Sequence, residues 1–162
     1  MKIPDALDGV SKLGIDSVAL IYYIEKNPVY FERMAAIMQQ VQVGNIRVYA
    51  ATLVLTEVLV HPFRYSQFNL ARQYQHILTN SRGFVPIALD VSIARKAAEL
   101  RAGLSFKTPD AIHAATAIVS GCDAFLTNDT GFKRLNEIDI LILDDLELDP
   151  EPEDLNEQTS SE

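Results

Sequence analysis

The sequence predicts an α/β fold in which a parallel β-sheet is covered by helices on both faces. Short apolar segments with strand character alternate along the chain with longer segments whose apolar residues recur at helical spacing. Glycine, proline or asparagine residues separate many of these segments. Parallel strands need a long crossover connection, usually a helix, so the alternation itself favours a parallel sheet.

Five segments have the composition of strands: residues 13–17, 46–50, 84–89, 124–127 and 138–143. Pro86 cannot donate a hydrogen bond to a neighbouring strand, which favours an edge position for the third segment. Asp is depleted in strands, so Asp16 is predicted to mark the end of the first one. Ligands bind at the carboxyl ends of the strands in open parallel sheets, which makes Asp16 the first candidate for a functional site.

Helices are predicted over six segments: residues 18–25, 30–43, 52–60, 66–78, 90–102 and 108–120. The segment 52–60 has the composition of a strand, but its position after a strand favours a buried helix, which we expect to end at His61-Pro62. Capping residues predict the ends of the last two helices: Asp90 as N-cap and Gly103 as stop, then Thr108 as N-cap, Pro109 as first helical residue and Gly121 as stop.

The length of 162 residues, 48% of them hydrophobic, fits one domain with a sizeable core. The single Cys122 excludes a disulfide framework and a cysteine zinc site, and it favours a reducing, cytoplasmic compartment. We expect neither a signal peptide nor a membrane span. Residues 1–12 are predicted to be a polar lead-in with one helical turn around Ala6 and Leu7, and residues 13–147 to be the domain.

The net charge of −8 is concentrated near the end of the sequence. The stretch from Asp144 onward holds nine of the 22 acids and no base, which leaves 13 acids against 14 bases in residues 1–143. Residues 148–162 are therefore predicted to be an acidic disordered tail, with a phosphate mimic in a basic groove as the alternative. Five cations form either a phosphate-binding surface or a solvated helix face: Arg82, Arg95, Lys96, Arg101 and Lys107.

Four acids stand at or near predicted strand ends. Asp16 and Asp129 follow strands, while Glu57 and Asp110 lie in helices that are expected to start near the same edge of the sheet. Each acid also has a purely structural explanation, which remains open: a helix cap for Asp16, solvent exposure for Glu57, the helix dipole for Asp110 and an Asx turn with Asn128 for Asp129.

Gathering these acids would be destabilising without a cation. Two like charges 4 Å apart repel by about 4 kcal/mol at an effective dielectric constant of 20, which is a large share of a total stability of roughly 5 to 15 kcal/mol. Carboxylate oxygens without cysteine or paired histidine favour Mg²⁺ or Mn²⁺ over Zn²⁺. The pattern therefore indicates metal-assisted chemistry at a phosphate group.

Four motifs resemble those of one known family: Ile15-Asp16-Ser17, Thr56-Glu57-Val58, Thr108-Pro-Asp110-Ala-Ile-His-Ala-Ala-Thr-Ala117 and Phe125-Leu-Thr-Asn-Asp129-Thr-Gly-Phe132. In order and separation they resemble the motifs of PIN-domain nucleases over residues 13–143, and the chain looks like the small toxin ribonucleases of toxin-antitoxin pairs. The resemblance implies a three-layer α/β/α sandwich around five parallel strands, Mg²⁺- or Mn²⁺-dependent endoribonuclease activity on RNA, and an antitoxin partner that blocks the site.

The same resemblance assigns roles to individual residues. The acidic quartet that holds the metal in the family corresponds to Asp16, Glu57, Asp110 and Asp129. Small supporting or substrate-facing positions correspond to Ser17, Thr127 and Asn128. Two positions depart from the family pattern, since Val18 stands where many relatives have Asn and Gly131 where many have an additional Asp.

These departures keep a second hypothesis open, a catalytically weak or inactive PIN-like module that binds protein or RNA. An acid-pocket phosphotransfer domain is disfavoured because the first strand lacks an acidic pair or an Asp-x-Asp motif. His113, one helical turn from Asp110, is predicted to be a packed or surface histidine. A cluster of aromatic residues forms either core or a groove for an antitoxin or a second copy of the chain: Tyr22, Tyr23, Phe31, Phe63, Tyr65 and Phe68.

Overall fold

The computed structural model describes residues 1–149, which contain a five-stranded sheet with every strand parallel to its neighbours. The strands lie in the order β3-β2-β1-β4-β5. Their bounds are Lys12–Ile15 for β1, Arg47–Ala51 for β2, Phe84–Ile87 for β3, Ala124–Thr127 for β4 and Asp139–Ile142 for β5. The five predicted strands are confirmed, and Pro86 lies in the edge strand β3 as expected.

The helices of residues 1–149 fall between these strands, apart from α1. They are α1 (Ile3–Ala6), α2 (Ser17–Ile24), α3 (Phe31–Gln42), α4 (Leu53–Val58), α5 (Val60–Arg64), α6 (Phe68–Asn80), α7 (Val91–Leu104) and α8 (Thr108–Val119). Short 3₁₀ turns follow β4 at Thr130–Arg134 and β5 at Leu143–Asp145.

Two hydrophobic clusters lie on opposite faces of the sheet. Alternate β1 residues Leu13 and Ile15 belong to the first cluster, together with side chains of α1, α2, α3 and α6. Phe125 of β4 belongs to the second cluster, together with side chains of α7 and α8. Because strand side chains alternate between faces, this division confirms the predicted three-layer α/β/α sandwich.

Several predicted helix ends are wrong. The chain does not stop being helical at His61-Pro62, because α5 accommodates Pro62 in its first turn, where a missing N–H costs little. The N-cap of α8 is Lys107, so Thr108 and Pro109 each lie one position further into the helix than expected. Helix α7 continues through Gly103 and ends at Ser105, which adopts the left-handed conformation with φ of 56°.

The first residues of the chain pack against the domain. Helix α1 ends at Ala6, so it lies slightly before the helical turn predicted around Ala6 and Leu7. Ile3, Ala6 and Leu7 are buried in the first cluster. The Ile3 amide also donates a 3.0 Å hydrogen bond to the Glu147 carbonyl. Most of the predicted acidic tail, residues 150–162, lies outside the described residues. Within residues 1–149, no helix is long and apolar enough to cross a membrane.

Candidate metal centre and active site

Asp16 links the end of β1 to the start of α2. It is the N-cap of α2, where its Oδ1 accepts a 3.1 Å hydrogen bond from the Ala19 amide. Its Oδ2 accepts a 2.5 Å hydrogen bond from the Thr127 hydroxyl at the end of β4. The residue is only 6% exposed, and burial raises the pKa of its carboxyl despite these two hydrogen bonds. Asp16 is thus a helix cap and a buried acid at the carboxyl ends of β1 and β4.

Glu57 projects from α4 toward α2 and α8. The Ser17 hydroxyl donates to its Oε2, and the Nε2 atom of His113 lies 2.8 Å from the same oxygen. Burial works against ionisation, but the hydrogen bonds from His113 and Ser17 outweigh it, so the pKa of Glu57 is lowered. The side chain is 32% exposed, and it does not simply face solvent.

His113 lies on the buried side of α8, and the sequence interpretation missed its partner. The sequence left a packed and a surface histidine open, and the 3% exposure of His113 selects the packed one. The contact with Glu57 forms only where α4 and α8 pack together, and a local sequence pattern does not predict which helices pack together. The available signal was the spacing of three residues from Asp110, which places both side chains on neighbouring positions of the same helix surface.

Asp110 occupies the first turn of α8. Burial is the main reason that its pKa is raised, and the charges of Asp129 and Glu57 raise it further against the opposing effect of His113. Among residues 1–149, no lysine or arginine forms an ion pair with Asp16, Asp110 or Asp129. Lys107 lowers the pKa of Asp110 only as the smallest effect, so within this part of the chain no close lysine or arginine neutralises these three acids.

Asp129 starts the turn that follows β4. Its amide donates to the Thr127 hydroxyl at 3.0 Å, so Thr127 connects Asp129 to Asp16. Its Oδ1 accepts from the Gly131 amide at 2.7 Å, which closes an Asx turn with Gly131. The Oδ1 atom of Asn128 instead accepts from the Asp144 amide at 2.9 Å, which ties the end of β4 to the turn after β5.

The carboxylate oxygens of the four acids suit a hard divalent cation, but the side chains do not surround a common point. Within the described part of the chain, no group of three or more Asp, Glu, His or Cys side chains comes together as a metal-holding set. The raised pKa values of Asp16 and Asp110 indicate that their negative charges lack compensation, which a cation would provide. Oxygen-only donors fit Mg²⁺ or Mn²⁺.

A separate cavity of about 510 Å³ lies beyond the opposite ends of the strands. Its walls include Val10 and Ile46, which come just before β1 and β2, and none of the four acids. Catalytic chemistry is better placed at the acid cluster, because the carboxyl ends of parallel strands are the usual binding edge of this fold class.

Three solved structures have a similar fold. VapBC2 from Rickettsia felis, bound to a DNA fragment from its promoter, matches with a TM-score of 0.64 and 17% identity over 81% of this chain and 98% of that chain. A toxin-antitoxin complex from Klebsiella pneumoniae matches with a TM-score of 0.63 and 20% identity over 82% and 98%. DNA-bound VapBC from Salmonella typhimurium matches with a TM-score of 0.63 and 18% identity over 83% of this chain and 98% of that chain.

At the level of sequence, the chain matches one family model but no curated protein. The family model described as PIN domain matches residues 14–138, which include all four acids, the strands β2, β3 and β4 and the second half of β1, and which end just before β5. The chain belongs to the PIN domain family.

Proposed function

We propose that this protein is a divalent-metal-dependent endoribonuclease and the toxin of a toxin-antitoxin pair. The observation that carries the proposal is a group of four acids at one rim of a PIN fold, two of them with raised pKa values and three without a lysine or arginine ion pair among residues 1–149. Such a group of acids lowers the stability of the protein, which is typical of a functional site.

The four acids would hold the metal, with Mg²⁺ or Mn²⁺ as the ion that their oxygens suit: Asp16, Glu57, Asp110 and Asp129. Bound there, the ion would supply neutralisation of phosphate charge and a lowered pKa for a coordinated water. Ser17 and Thr127 hold Glu57 and Asp16 in place through their hydroxyl groups. Asn128 would act indirectly, because its carbonyl oxygen fixes the loop that carries Asp129.

Cations next to the acid cluster support an RNA substrate. Lys107 immediately precedes α8, and the Arg134 guanidinium lies 4.2 Å from the centre of the Phe106 ring. Phe106 and Arg134 belong to the segments that lead into α8 and follow Asp129, so their stacking brings a positive charge toward the metal-binding elements. Arg95 and Lys96 are less available, since both form ion pairs with Glu99.

An exposed apolar surface on α5 and α6 supports a protein partner. Phe63, Tyr65 and Phe68 are 53%, 60% and 59% exposed, and they follow α4, the helix that carries Glu57. We assign this surface to an antitoxin, because a similarly folded chain occurs in a structure described as a toxin-antitoxin complex. An antitoxin seated there would lie beside the acids. A cytoplasmic location and an additional homodimer are part of the same proposal.

The decisive experiment is cleavage of total cellular RNA by the purified protein with Mg²⁺ or Mn²⁺. We expect cleavage that EDTA abolishes and that Asp16→Asn or Asp110→Asn reduces at least 100-fold. The matched control is Asp123→Asn, which changes an acid that binds the Ser11 and Lys12 amides at the opposite end of β1. Cleavage that survives EDTA and both variants would contradict the proposal.

A catalytically weak PIN-like module that binds protein or RNA is the second candidate. It is favoured by the lack of a preformed three-ligand group among residues 1–149 and by Gly131, which stands where many relatives have an additional acid. Calorimetry separates the two candidates. Tight partner or RNA binding without any Mn²⁺ binding would favour the module over the nuclease.

A further inference from the structure

The imidazole of His113 has one well-defined polar contact. Its Nε2 lies 2.8 Å from Oε2 of Glu57, whereas the Ser17 hydroxyl is 3.5 Å away. Its Nδ1 is buried and has no hydrogen-bond partner within residues 1–149. The neighbours of His113 on α8 include Ala114 and Ala115, which are fully buried and offer no side-chain polar group. Within residues 1–149, the only strong polar interaction of the ring is therefore with the candidate metal ligand.

The geometry assigns the imidazole proton to Nε2. An ionised carboxylate can only accept hydrogen bonds, so the nitrogen next to Oε2 must be the donor. The Ser17 hydroxyl donates to the same oxygen, which fits a carboxylate oxygen that only accepts. A nitrogen that carries a proton has no lone pair for a metal ion, which means that Nε2 of His113 does not serve as a direct ligand in this arrangement.

Both donors to Glu57 converge on the same oxygen. Ser17 and His113 bind Oε2, and no hydrogen bond within the described residues involves Oε1. A glutamate side chain has three rotatable bonds and would otherwise sample many rotamers. Two donors fixed on α2 and α8 restrict that freedom while they leave Oε1 available.

We propose that His113 is a positioning residue that holds the Glu57 carboxylate through an Nε2–H hydrogen bond, so that Oε1 is presented to a divalent cation. This inference rests on the proposed function, because it takes Glu57 to be a metal ligand. It goes further by giving the buried histidine a specific task that packing alone would not require. Partners that orient metal ligands typically change metal affinity when they are mutated.

Two variants separate positioning from packing. His113→Gln can place an amide N–H near the former Nε2 position, whereas His113→Leu fills the space without a donor. We expect calorimetry to show Mn²⁺ affinity within about threefold of the parent for His113→Gln and about 10- to 100-fold weaker for His113→Leu. Urea unfolding without metal checks that both variants are folded. Equal Mn²⁺ affinity in the parent and His113→Leu would overturn the inference.

Kinetics and NMR supply independent readouts. The Mn²⁺ concentration for half-maximal RNA cleavage should rise in His113→Leu, while the rate at saturating Mn²⁺ stays within about threefold of the parent, since the bound ion would restore the position of Glu57. Long-range ¹H–¹⁵N spectra of the metal-free parent should show the Nε2–H tautomer, and an Nδ1–H tautomer would overturn the inference whether or not metal binds. A parent protein that binds no Mn²⁺ at all would instead contradict the proposed function.

Discussion

Asp16 uses its two carboxylate oxygens for different structural purposes. One oxygen caps α2 through the Ala19 amide, and the other accepts the hydroxyl proton of Thr127. The sequence presented a helix cap and a metal ligand as alternatives, but a cap occupies only one lone pair of a carboxylate with two oxygens. The same residue can therefore start α2 and contribute to a metal site.

Replacing Asp16 with Asn should stabilise the metal-free protein. Because the folded-state pKa of Asp16 is raised, its favourable contribution is present at low pH and is lost as the pH rises through that pKa. At pH 7 the parent thus bears the cost of a buried charge, which Asn removes while still capping α2. We expect Asp16→Asn to gain about 1 kcal/mol in urea unfolding at pH 7.

The pH dependence and a second cap test this explanation. The gain should shrink as the pH falls through the raised pKa and vanish below the ordinary aspartate range. Asp90→Asn is the matched control, because Asp90 caps α7 in the same way but is exposed. Its stability should change by less than about 0.5 kcal/mol. A loss of stability at pH 7 in Asp16→Asn alone would contradict the charge argument.

Thr127→Val should destabilise the protein through unsatisfied polar groups. The Thr127 hydroxyl, which is fully buried, donates to Asp16 and accepts from the Asp129 amide. Valine has nearly the same shape without either bond, so we expect a loss of about 1–3 kcal/mol in urea unfolding. Thr116→Val is the control, since that buried hydroxyl only binds the Ile112 carbonyl within α8. Equal losses in the two variants would show that the Asp16 contact adds nothing.

At the scale of elements, the close packing of α8 on β1 depends on a glycine. A Cβ atom on Gly14 would lie 2.5 Å from the Ala117 Cβ and 2.9 Å from Phe125 Cδ2. This contact brings the helix that carries Asp110 and His113 against the strand that ends at Asp16. Ala117 of α8 therefore packs directly against β1.

Gly14→Ala should lower the free energy of unfolding by about 1–3 kcal/mol, because the added methyl group overpacks the interface of α8 and β1. Gly103→Ala is the matched control, since a Cβ there meets nothing within 4 Å. It should raise the free energy of unfolding by about 0.5–1 kcal/mol through reduced backbone entropy. Urea denaturation of both variants provides the comparison. A stable Gly14→Ala protein would mean that α8 can move away from the sheet.

The errors in helix bounds have physical causes. The sequence placed the α8 N-cap at Thr108, but the extended cap conformation belongs to Lys107, which makes no side-chain cap hydrogen bond. Pro62 was expected to stop a helix, yet the first turn of α5 tolerates it. Capping signals and prolines locate a boundary to within a residue or two, and packing of the helix then selects the residue.

At the scale of the whole molecule, periodicity and alternation were sufficient for the three layers and the five strands. The order β3-β2-β1-β4-β5 could not be derived in the same way, because strand pairing joins residues that are distant in sequence. The placement of the four acids near the carboxyl ends of the strands followed from parallel geometry, although no three of the acids form a metal-holding group among residues 1–149. The partners of Glu57 could not be predicted from this geometry, since His113 contacts Glu57 only after α4 and α8 pack beside each other.

Charges placed on the apolar surface of α5 and α6 should weaken partner binding without harming the fold. We expect the double variant Phe63→Asp and Phe68→Asp to lose at least 10-fold in affinity for the protein encoded by the adjacent reading frame. Val91→Asp is the control, because Val91 is 85% exposed at the start of α7. If calorimetry showed the same affinity for the double variant as for the parent, the partner would have to bind to another surface.

The central claim is that four distant acids form one divalent-cation site. Anomalous diffraction from a crystal soaked in Mn²⁺ tests it most directly. We predict a peak within coordination distance of at least three carboxylates among Asp16, Glu57, Asp110 and Asp129, at about 2.0–2.4 Å from their oxygens. A well-diffracting crystal with no peak at this rim, or with Mn²⁺ bound only elsewhere, would contradict the claim.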